Sequence, residues 1–111
     1  MVNESKFFAE GKLGPLKLRN RSIRAAAFEG MSLNHKVTNA LIDYHTLVAK
    51  GGIGMTTVAY ASVSKGGLSF PHQLWMRKEI TGELKKLTDS VHREGAAVSV
   101  QIGHGGNMAN G

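Results

Sequence analysis

Three short apolar runs along the chain have the length and composition of β-strands. They occupy residues 22–26, 54–58 and 96–102 and are rich in branched or small apolar side chains. In the third run, strict alternation assigns the side chains to two faces. Val98, Val100 and Ile102 share the apolar face, whereas Ala97, Ser99 and Gln101 share the small and polar face. The apolar face is expected to pack on helices.

Between these runs, apolar positions recur at helical spacing. The first helix follows Thr38, a candidate N-cap, and ends at Gly51-Gly52. The second follows Thr81, a candidate cap of the same kind, and ends at Gly95. Glycine is common where a left-handed residue terminates a helix. The pattern therefore predicts strand–helix–strand–helix–strand, the opening of a parallel α/β architecture.

Two further segments lie outside this alternation. Residues 11–18 place a Gly-Pro turn between two short apolar stretches and predict an N-terminal β-hairpin. Residues 59–80 show no convincing periodicity and predict a long irregular connection, a kind of segment that often carries function.

The predicted fold class is α/β: the first three strands and two helices of a TIM (β/α)8 barrel, incomplete, with an N-terminal β-hairpin. The third strand favours a barrel over a doubly wound sheet, because Gln101 needs a polar interior near the carboxyl-end mouth. Right-handed crossovers would put both helices on one face of a three-stranded sheet and leave the other face bare. We therefore expect residues 1–111 to be the N-terminal portion of a single barrel domain.

Composition and charge narrow the classes of partner. The formal net charge is +6, but the basic residues are scattered and lack the aromatic interleaving of a nucleic-acid-binding surface. No apolar run approaches the roughly 18 residues of a membrane span. The first residues lack the apolar core of a secretory signal, and cysteine is absent. We expect no nucleic-acid partner, no membrane association and a cytoplasmic location.

Three motifs follow one another in a defined order. They are LKLRNR at 16–21, GGIG at 51–54 and VQIGHGG at 100–106. Their order and spacing resemble the old yellow enzyme family of FMN-dependent oxidoreductases, and LTDSVH at 87–92 is similar to the family's second helix. The resemblance implies FMN as cofactor and NADH or NADPH as reductant.

The resemblance also implies which residues contact the flavin. Ala25, Ala26, Ala27 and Phe28, at the end of the first strand, would lie along the flavin ring. Tyr60 would face the cofactor after the second strand, with Ala59 and Ala61 as alternatives one residue away. Gln101 would hydrogen-bond the pyrimidine edge. The chain departs from the family pattern at Ala26, where proline is usual, at Phe28, where threonine or cysteine is usual, and at Asn107, where arginine is usual.

Other polar residues are expected to have no catalytic or metal-binding role. His104 matches the histidine of the family motif, but no nearby carboxylate would orient it, so we expect a structural role. The five histidines lack metal-ligand spacing, which predicts no metal site. In the family, the groups that bind the substrate and donate a proton belong to later strands, so we expect no catalytic residue in this chain.

The hypothesis is an FMN-dependent, NAD(P)H-driven oxidoreductase that reduces electron-poor C=C bonds, such as those of enones, when the barrel is complete. Little activity is expected from the isolated chain. Two alternatives stay open at this point. One is a non-catalytic partial-barrel module that pairs with a copy of itself or with a complementing chain, and the other is a small basic binding protein.

Overall fold

The structure, a computed structural model, describes residues 6–109. A β-hairpin comes first, and four strands and two α-helices follow. The elements in chain order are β1 (Gly11–Leu13), β2 (Leu16–Leu18), β3 (Ile23–Arg24), α1 (Asn39–Lys50), β4 (Met55–Ser62), β5 (Leu74–Trp75), α2 (Thr81–Arg93) and β6 (Ala97–Gly103). Single 3-10 turns lie at Lys6–Phe8, Leu33–His35, Lys65–Gly67, Lys78–Ile80 and Gly106–Met108.

The strand pairing confirms the α/β class and the hairpin. β1 and β2 are antiparallel around Gly14, which has the positive φ of 59° that such a tight turn requires. β4 is the central strand of a parallel sheet, and β6 runs along one of its edges. β3 and β5 share the other edge, opposite the first two and the last two residues of β4. This sheet is open, so the barrel is not closed by the described residues.

Both helices pack on one face of the sheet, as right-handed crossovers predict. The core combines Leu41 and Ala49 of α1, Leu87 and Val91 of α2, and Val58 and Ala61 of β4. Val98 and Val100 of β6 pack against this core, but Ile102 is 59% exposed. The prediction that Ile102 packs on the helices is wrong, because neither helix of the described chain covers the end of β6.

The two helix starts differ in how they are capped. Thr38 accepts a hydrogen bond from the backbone N–H of Leu41 through Oγ1 at 3.2 Å, so the predicted cap of α1 is confirmed. The predicted cap at Thr81 is wrong, since Thr81 is the first helical residue and its hydroxyl donates to the carbonyl of Lys78 at 2.7 Å. The 3-10 turn at Lys78–Ile80 leads directly into α2 and uses that hydroxyl.

Strand boundaries also differ from the predictions. The first core strand has only two residues, because the chain leaves β4 after Arg24. The second strand continues to Ser62, and β5 lies within the segment predicted to be irregular, so the sheet has four strands instead of three. Within residues 6–109, neither helix has the length and apolar content needed to cross a bilayer.

Candidate functional site

Phe28, Tyr60 and Gln101 lie together at the carboxyl ends of the parallel strands. Phe28 follows β3, Tyr60 is on β4 and Gln101 is on β6. The rings of Phe28 and Tyr60 stack, with centroids 5.4 Å apart and planes inclined by 24°. Tyr60 and Gln101 line one cleft, which we call the Gln101 cleft. The structure thus assembles three of the predicted site residues from three parts of the sequence.

The Gln101 cleft is small and partly polar. Its volume is about 170 Å³, below the roughly 300–1,000 Å³ of pockets that enclose a small-molecule ligand. The cleft can therefore form only one side of a site for a ligand as large as a nucleotide cofactor. Besides Tyr60 and Gln101, it is lined by Ser69, Gln73, Ile102, Gly103, His104 and Gly105.

A β-bulge in β4 directs Tyr60 towards this cleft. The register between β4 and β6 shifts between Val58 and Ala61, and both of these residues pack in the core. Under strict alternation, Tyr60 would share the helix-facing side with Val58, so the bulge changes the direction of its side chain. The alternatives Ala59 and Ala61 are 4% and 0% exposed, whereas Tyr60 is half-buried. Of these three residues, Tyr60 is the one whose side chain lines the Gln101 cleft.

The structure adds Phe70, which sequence reasoning missed. Its ring centroid is 4.8 Å from that of Phe28 and 6.3 Å from that of Tyr60, and we call these three residues the aromatic cluster. Phe28 and Phe70 are 37% and 42% exposed, so the cluster presents an apolar surface beside the polar cleft. Phe70 lies in a connection without periodicity, where no sequence signal indicates its contacts.

Buried hydrogen bonds hold the connection that carries Phe70. The Gln73 carboxamide is buried, and its Oε1 accepts the backbone N–H groups of Ser69 at 2.8 Å and Phe70 at 3.3 Å. The N–H of Gly105 donates to the carbonyl of Gly67 at 2.8 Å, which ties the connection to the segment after β6. These bonds fix the place of Phe70 relative to the cleft.

His104 lies at the rim of the cleft and organises the turn that follows it. Its Nδ1 accepts the backbone N–H of Gly106 at 2.9 Å, so in the neutral ring the proton is on Nε2. The ring packs on Gly67, where a Cβ would come within 2.5 Å of Cδ2. These contacts are those of a structural residue, and the absence of a catalytic role stays a prediction.

The alanines predicted to lie along the flavin connect β3 to Phe28 without regular structure. Ala25 and Ala27 are exposed, and Ala26 is half-buried. Directly after Phe28, the Glu29 carboxylate lies 2.7 Å from Nε2 of His45, with the two side chains 2% and 0% exposed. Sequence reasoning missed this buried pair, because the partners lie in a loop and a helix with no local pattern that joins them.

Comparison with known proteins decides the family. Residues 6–110 match the family model of the NADH:flavin oxidoreductase / NADH oxidase family. The chain belongs to this family. Over 103 residues it is 48% identical to a 4,4'-dithiodibutanoate disulfide reductase from Rhodococcus erythropolis. The aligned region covers 93% of this chain and 26% of that relative. The chain thus spans about a quarter of the length of this relative.

Solved structures of family members show the same fold. A 2-naphthoyl-CoA reductase in complex with 2-naphthoyl-CoA matches with a TM-score of 0.87 and 26% identity, covering 95% of this chain and 16% of that one. An old yellow enzyme from Pichia sp. AKU4542 matches with a TM-score of 0.87 and 17% identity, covering 96% of this chain and 28% of that one. The resemblance to old yellow enzymes is confirmed, and the chain has the fold of part of their TIM barrel.

Family membership indicates FMN as the cofactor and NADH or NADPH as the reductant. The residues at the cleft fit a flavin, because its pyrimidine edge both donates and accepts hydrogen bonds and the exposed Gln101 carboxamide can do the same. That carboxamide makes no hydrogen bond to the rest of residues 6–109, so it is available to a ligand. In this part of the chain, no three histidine or acidic side chains cluster in a way that could hold a metal ion.

Proposed function

We propose that this chain forms the flavin-contacting first part of an FMN-dependent NAD(P)H oxidoreductase of old yellow enzyme type. The observation that carries the proposal is the convergence of Phe28, Tyr60 and Gln101 at one end of the parallel sheet. In barrels of this kind, active sites lie at the carboxyl ends of the strands. The family match over residues 6–110 supports the same assignment.

Each predicted site residue has a part in this proposal. Gln101 binds the pyrimidine edge of the flavin through its carboxamide, which donates from Nε2 and accepts at Oε1. Ala25, Ala26 and Ala27 offer backbone groups, and their small side chains let a flat ring approach closely. Phe28 and Tyr60 contribute apolar surface, and Phe28 has no polar group with which to hydrogen-bond the flavin. These residues would hold FMN, whose isoalloxazine ring would supply the hydride-transfer chemistry between NAD(P)H and the substrate.

The first candidate reaction is the reduction of an electron-poor C=C bond, as in an enone. The aromatic cluster supports this reaction with an apolar surface against which a flat conjugated substrate can pack. The proposal assigns no catalytic residue to this chain, because the groups that polarise the substrate would come from later strands.

The second candidate reaction is the reduction of an organic disulfide. It is favoured by the 48% identity to a 4,4'-dithiodibutanoate disulfide reductase. The two reactions differ in the bond that receives hydride, a C=C bond or an S–S bond. They share the same flavin-contacting residues in this chain, so the cleft alone does not distinguish them.

An apolar surface beside α2 supports association with further strands and helices. An apolar cleft lined by Val58, Leu84, Leu87, Val98 and Val100 lies between α2 and the sheet. We propose that strands and helices of a complete barrel cover this surface, and a second copy or a complementing chain is the alternative. The cytoplasmic location stays a prediction.

The test is an FMN titration of the complete protein that carries this chain, followed by quenching of flavin fluorescence. We expect Gln101→Ala to weaken FMN binding at least tenfold, since it removes a paired donor and acceptor, about 1.4 kcal/mol or more. Asn39→Ala removes an exposed amide that does not line the Gln101 cleft and serves as the control. Equal FMN affinity for Gln101→Ala and the parent protein would contradict the proposed role of Gln101.

A second measurement separates the two reactions. The flavin is reduced with NADH or NADPH under anaerobic conditions and then mixed with 2-cyclohexen-1-one or with 4,4'-dithiodibutanoate. Faster reoxidation by the enone supports C=C reduction, whereas faster reoxidation by the disulfide supports the second candidate.

A further inference from the structure

One edge of β4 has a gap between its two strand partners. β3 pairs with Met55 and Thr56, and β5 pairs with Ala61 and Ser62. Between these pairings, residues 57–60 have no strand beside them on this edge in the described part of the chain. Backbone groups that face such a gap need other partners, because an unpaired buried N–H or C=O is costly.

Two oppositely charged side chains fill this gap. Arg24 donates from Nη1 to the carbonyl of Thr57 at 3.0 Å. Glu29 accepts the backbone N–H of Ala59 at Oε2, at 3.1 Å. The guanidinium and the carboxylate thus replace the backbone partners that a continuous strand would supply. Ala59 lies within the bulge that directs Tyr60 to the Gln101 cleft.

Neighbouring residues of α1 hold both side chains in place. The Tyr44 hydroxyl accepts from Nη2 of Arg24 at 2.8 Å, and the guanidinium lies 4.9 Å from the centroid of the Tyr44 ring. Nε2 of His45 lies 2.7 Å from Oε2 of Glu29, and Nδ1 of His45 lies 2.7 Å from Oγ1 of Thr56. Tyr44 therefore supports the contact of Arg24 with the backbone of β4, and His45 supports the contact of Glu29 with it.

We propose that Arg24 and Glu29 are positioning residues that anchor the two ends of the segment Ala25–Phe28. Arg24 directly precedes this segment and Glu29 directly follows it. By binding Ala59, Glu29 sets the distance between Phe28 and Tyr60, whose rings stack at 5.4 Å. The inference rests on the proposed function, because the anchored segment is the one proposed to lie along the flavin.

Arg24 and Glu29 satisfy backbone groups of β4, and Glu29 does so at the bulge beside Tyr60. A buried pair of titratable side chains such as Glu29 and His45 is often no more stabilising than an apolar pair of similar volume, so its presence alone does not explain the fold's stability. Here the carboxylate makes two hydrogen bonds at one oxygen, and one of them is to the backbone beside Tyr60. An apolar side chain at position 29 could not place that backbone.

The first test measures the hydrogen bond between the Ala59 amide and the Glu29 carboxylate, in the absence of FMN. Amide hydrogen exchange of Ala59 is followed by NMR in the complete protein that carries this chain, without added FMN, for Glu29→Ala and Glu29→Gln. We expect Glu29→Ala to speed exchange of the Ala59 amide at least tenfold, whereas Glu29→Gln, which keeps an acceptor oxygen, restores most of the protection. Glu79→Ala, a change at an exposed carboxylate, is the matched control. Unchanged Ala59 exchange in Glu29→Ala overturns the inference.

The second test asks whether the anchor matters for the cofactor. FMN affinity is measured in the complete protein for Glu29→Ala, for Arg24→Met, which keeps the length of the side chain without its donors, and for Gln101→Ala. We expect at least a tenfold loss for Glu29→Ala and at least a threefold loss for Arg24→Met. Glu79→Ala is measured as the control, and we expect it to cause no loss. If Gln101→Ala weakens FMN binding and Glu29→Ala does not, the positioning role is wrong and the proposed function stands.

If neither Gln101→Ala nor Glu29→Ala alters FMN binding while Ala59 exchange rises, the proposed function fails and the anchor is purely structural. Should Glu29→Ala not fold, Glu29→Asp takes its place in both tests. Aspartate keeps the charge beside His45, but its side chain is one methylene shorter and cannot reach both His45 and the Ala59 amide. Faster Ala59 exchange and weaker FMN binding in Glu29→Asp support the inference, and parental values of both overturn it.

Discussion

Arg19 donates from Nη1 to the carbonyl oxygen of Glu94 at 2.7 Å, across 75 positions of the chain. Its Nη2 donates to the carbonyls of Ala49 at 2.5 Å and Ile53 at 2.9 Å. One guanidinium therefore serves the carboxyl ends of both helices, where the helix dipole favours a positive charge. It also fixes both helix ends to the backbone that enters β4.

Replacing Arg19 should destabilise the fold, even though the side chain is partly exposed. Hydrogen bonds to charged groups contribute roughly 1.5–3 kcal/mol when shielded, and exposure reduces this value, so we expect Arg19→Ala to lower the free energy of unfolding by about 1–2 kcal/mol. Arg19→Lys should recover only part of this loss, because one ammonium group cannot reach three carbonyls. Urea denaturation measures the change. Lys50→Ala, an exposed cation at the end of α1, is the control, and an equal effect of the two alanine variants would contradict the prediction.

Adjacent glycines in the connection after β4 offer a matched pair of substitutions. A Cβ at Gly67 would come within 2.5 Å of Cδ2 of His104 and 2.7 Å of Oγ of Ser62, whereas a Cβ at Gly66 would meet nothing within 4 Å. Gly67→Ala should displace His104 and cost about 1–3 kcal/mol, the usual range for overpacking. Gly66→Ala should leave stability within about 0.5 kcal/mol of the parent.

Thermal unfolding of the two glycine variants, with NMR shifts of the His104 ring, measures this difference. A small effect of Gly67→Ala with an unmoved His104 ring would show that the turn at 104–106 yields easily. In that case the histidine would not be held by the packing described above.

Two of the three motifs that carry the family resemblance contact each other in the fold. The LKLRNR and GGIG motifs meet in the fold, since Arg19 donates to the carbonyl of Ile53 and Asn20 donates from Nδ2 to the carbonyl of Gly52 at 2.6 Å. The start of α1 was also predictable, because capping by Thr38 depends on residues three positions apart. Such local rules are legible in a single sequence.

Features that depend on distant partners were not predictable in the same way. Apart from Tyr60, the extension of β4 to Ser62 consists of small residues with weak strand preference, and its pairing with Ile102 and Gly103 of β6 stabilises it. Thr81 has the sequence of a cap, but the preceding turn uses its hydroxyl. Glu29 lies in a loop that looks unremarkable in sequence, and only the fold brings it to His45 and Ala59.

Phe70 should hold the segment between β4 and β5 against the aromatic cluster. Its ring lies 4.8 Å from that of Phe28, and aromatic pairs contribute about 0.5–1.5 kcal/mol beyond the area they bury. We expect Phe70→Leu to lower the free energy of unfolding by about 1 kcal/mol and to weaken the near-ultraviolet circular dichroism of Tyr60. Phe8→Leu, at a 74% exposed ring outside the aromatic cluster, is the control. An unchanged tyrosine signal in Phe70→Leu would show that Phe70 does not order the cluster.

The Lys85–Asp89 pair on α2 predicts a pH dependence of stability. The hydrogen bond from Lys85, at 2.7 Å, is the main cause that holds the pKa of Asp89 below its ordinary value. Because folding lowers this pKa, the pair stabilises the fold above the pKa of the unfolded chain, and the contribution is lost as the pH falls through the lower folded pKa. Both side chains are exposed, so the effect should be small and should shrink at high salt.

The test measures the free energy of unfolding of the parent protein and of Asp89→Asn, from pH 7 to strongly acidic pH, and compares the two at each pH. Asp43→Asn, on the exposed face of α1, is the control. A difference that stays constant as the pH falls would contradict the role of the ionised pair.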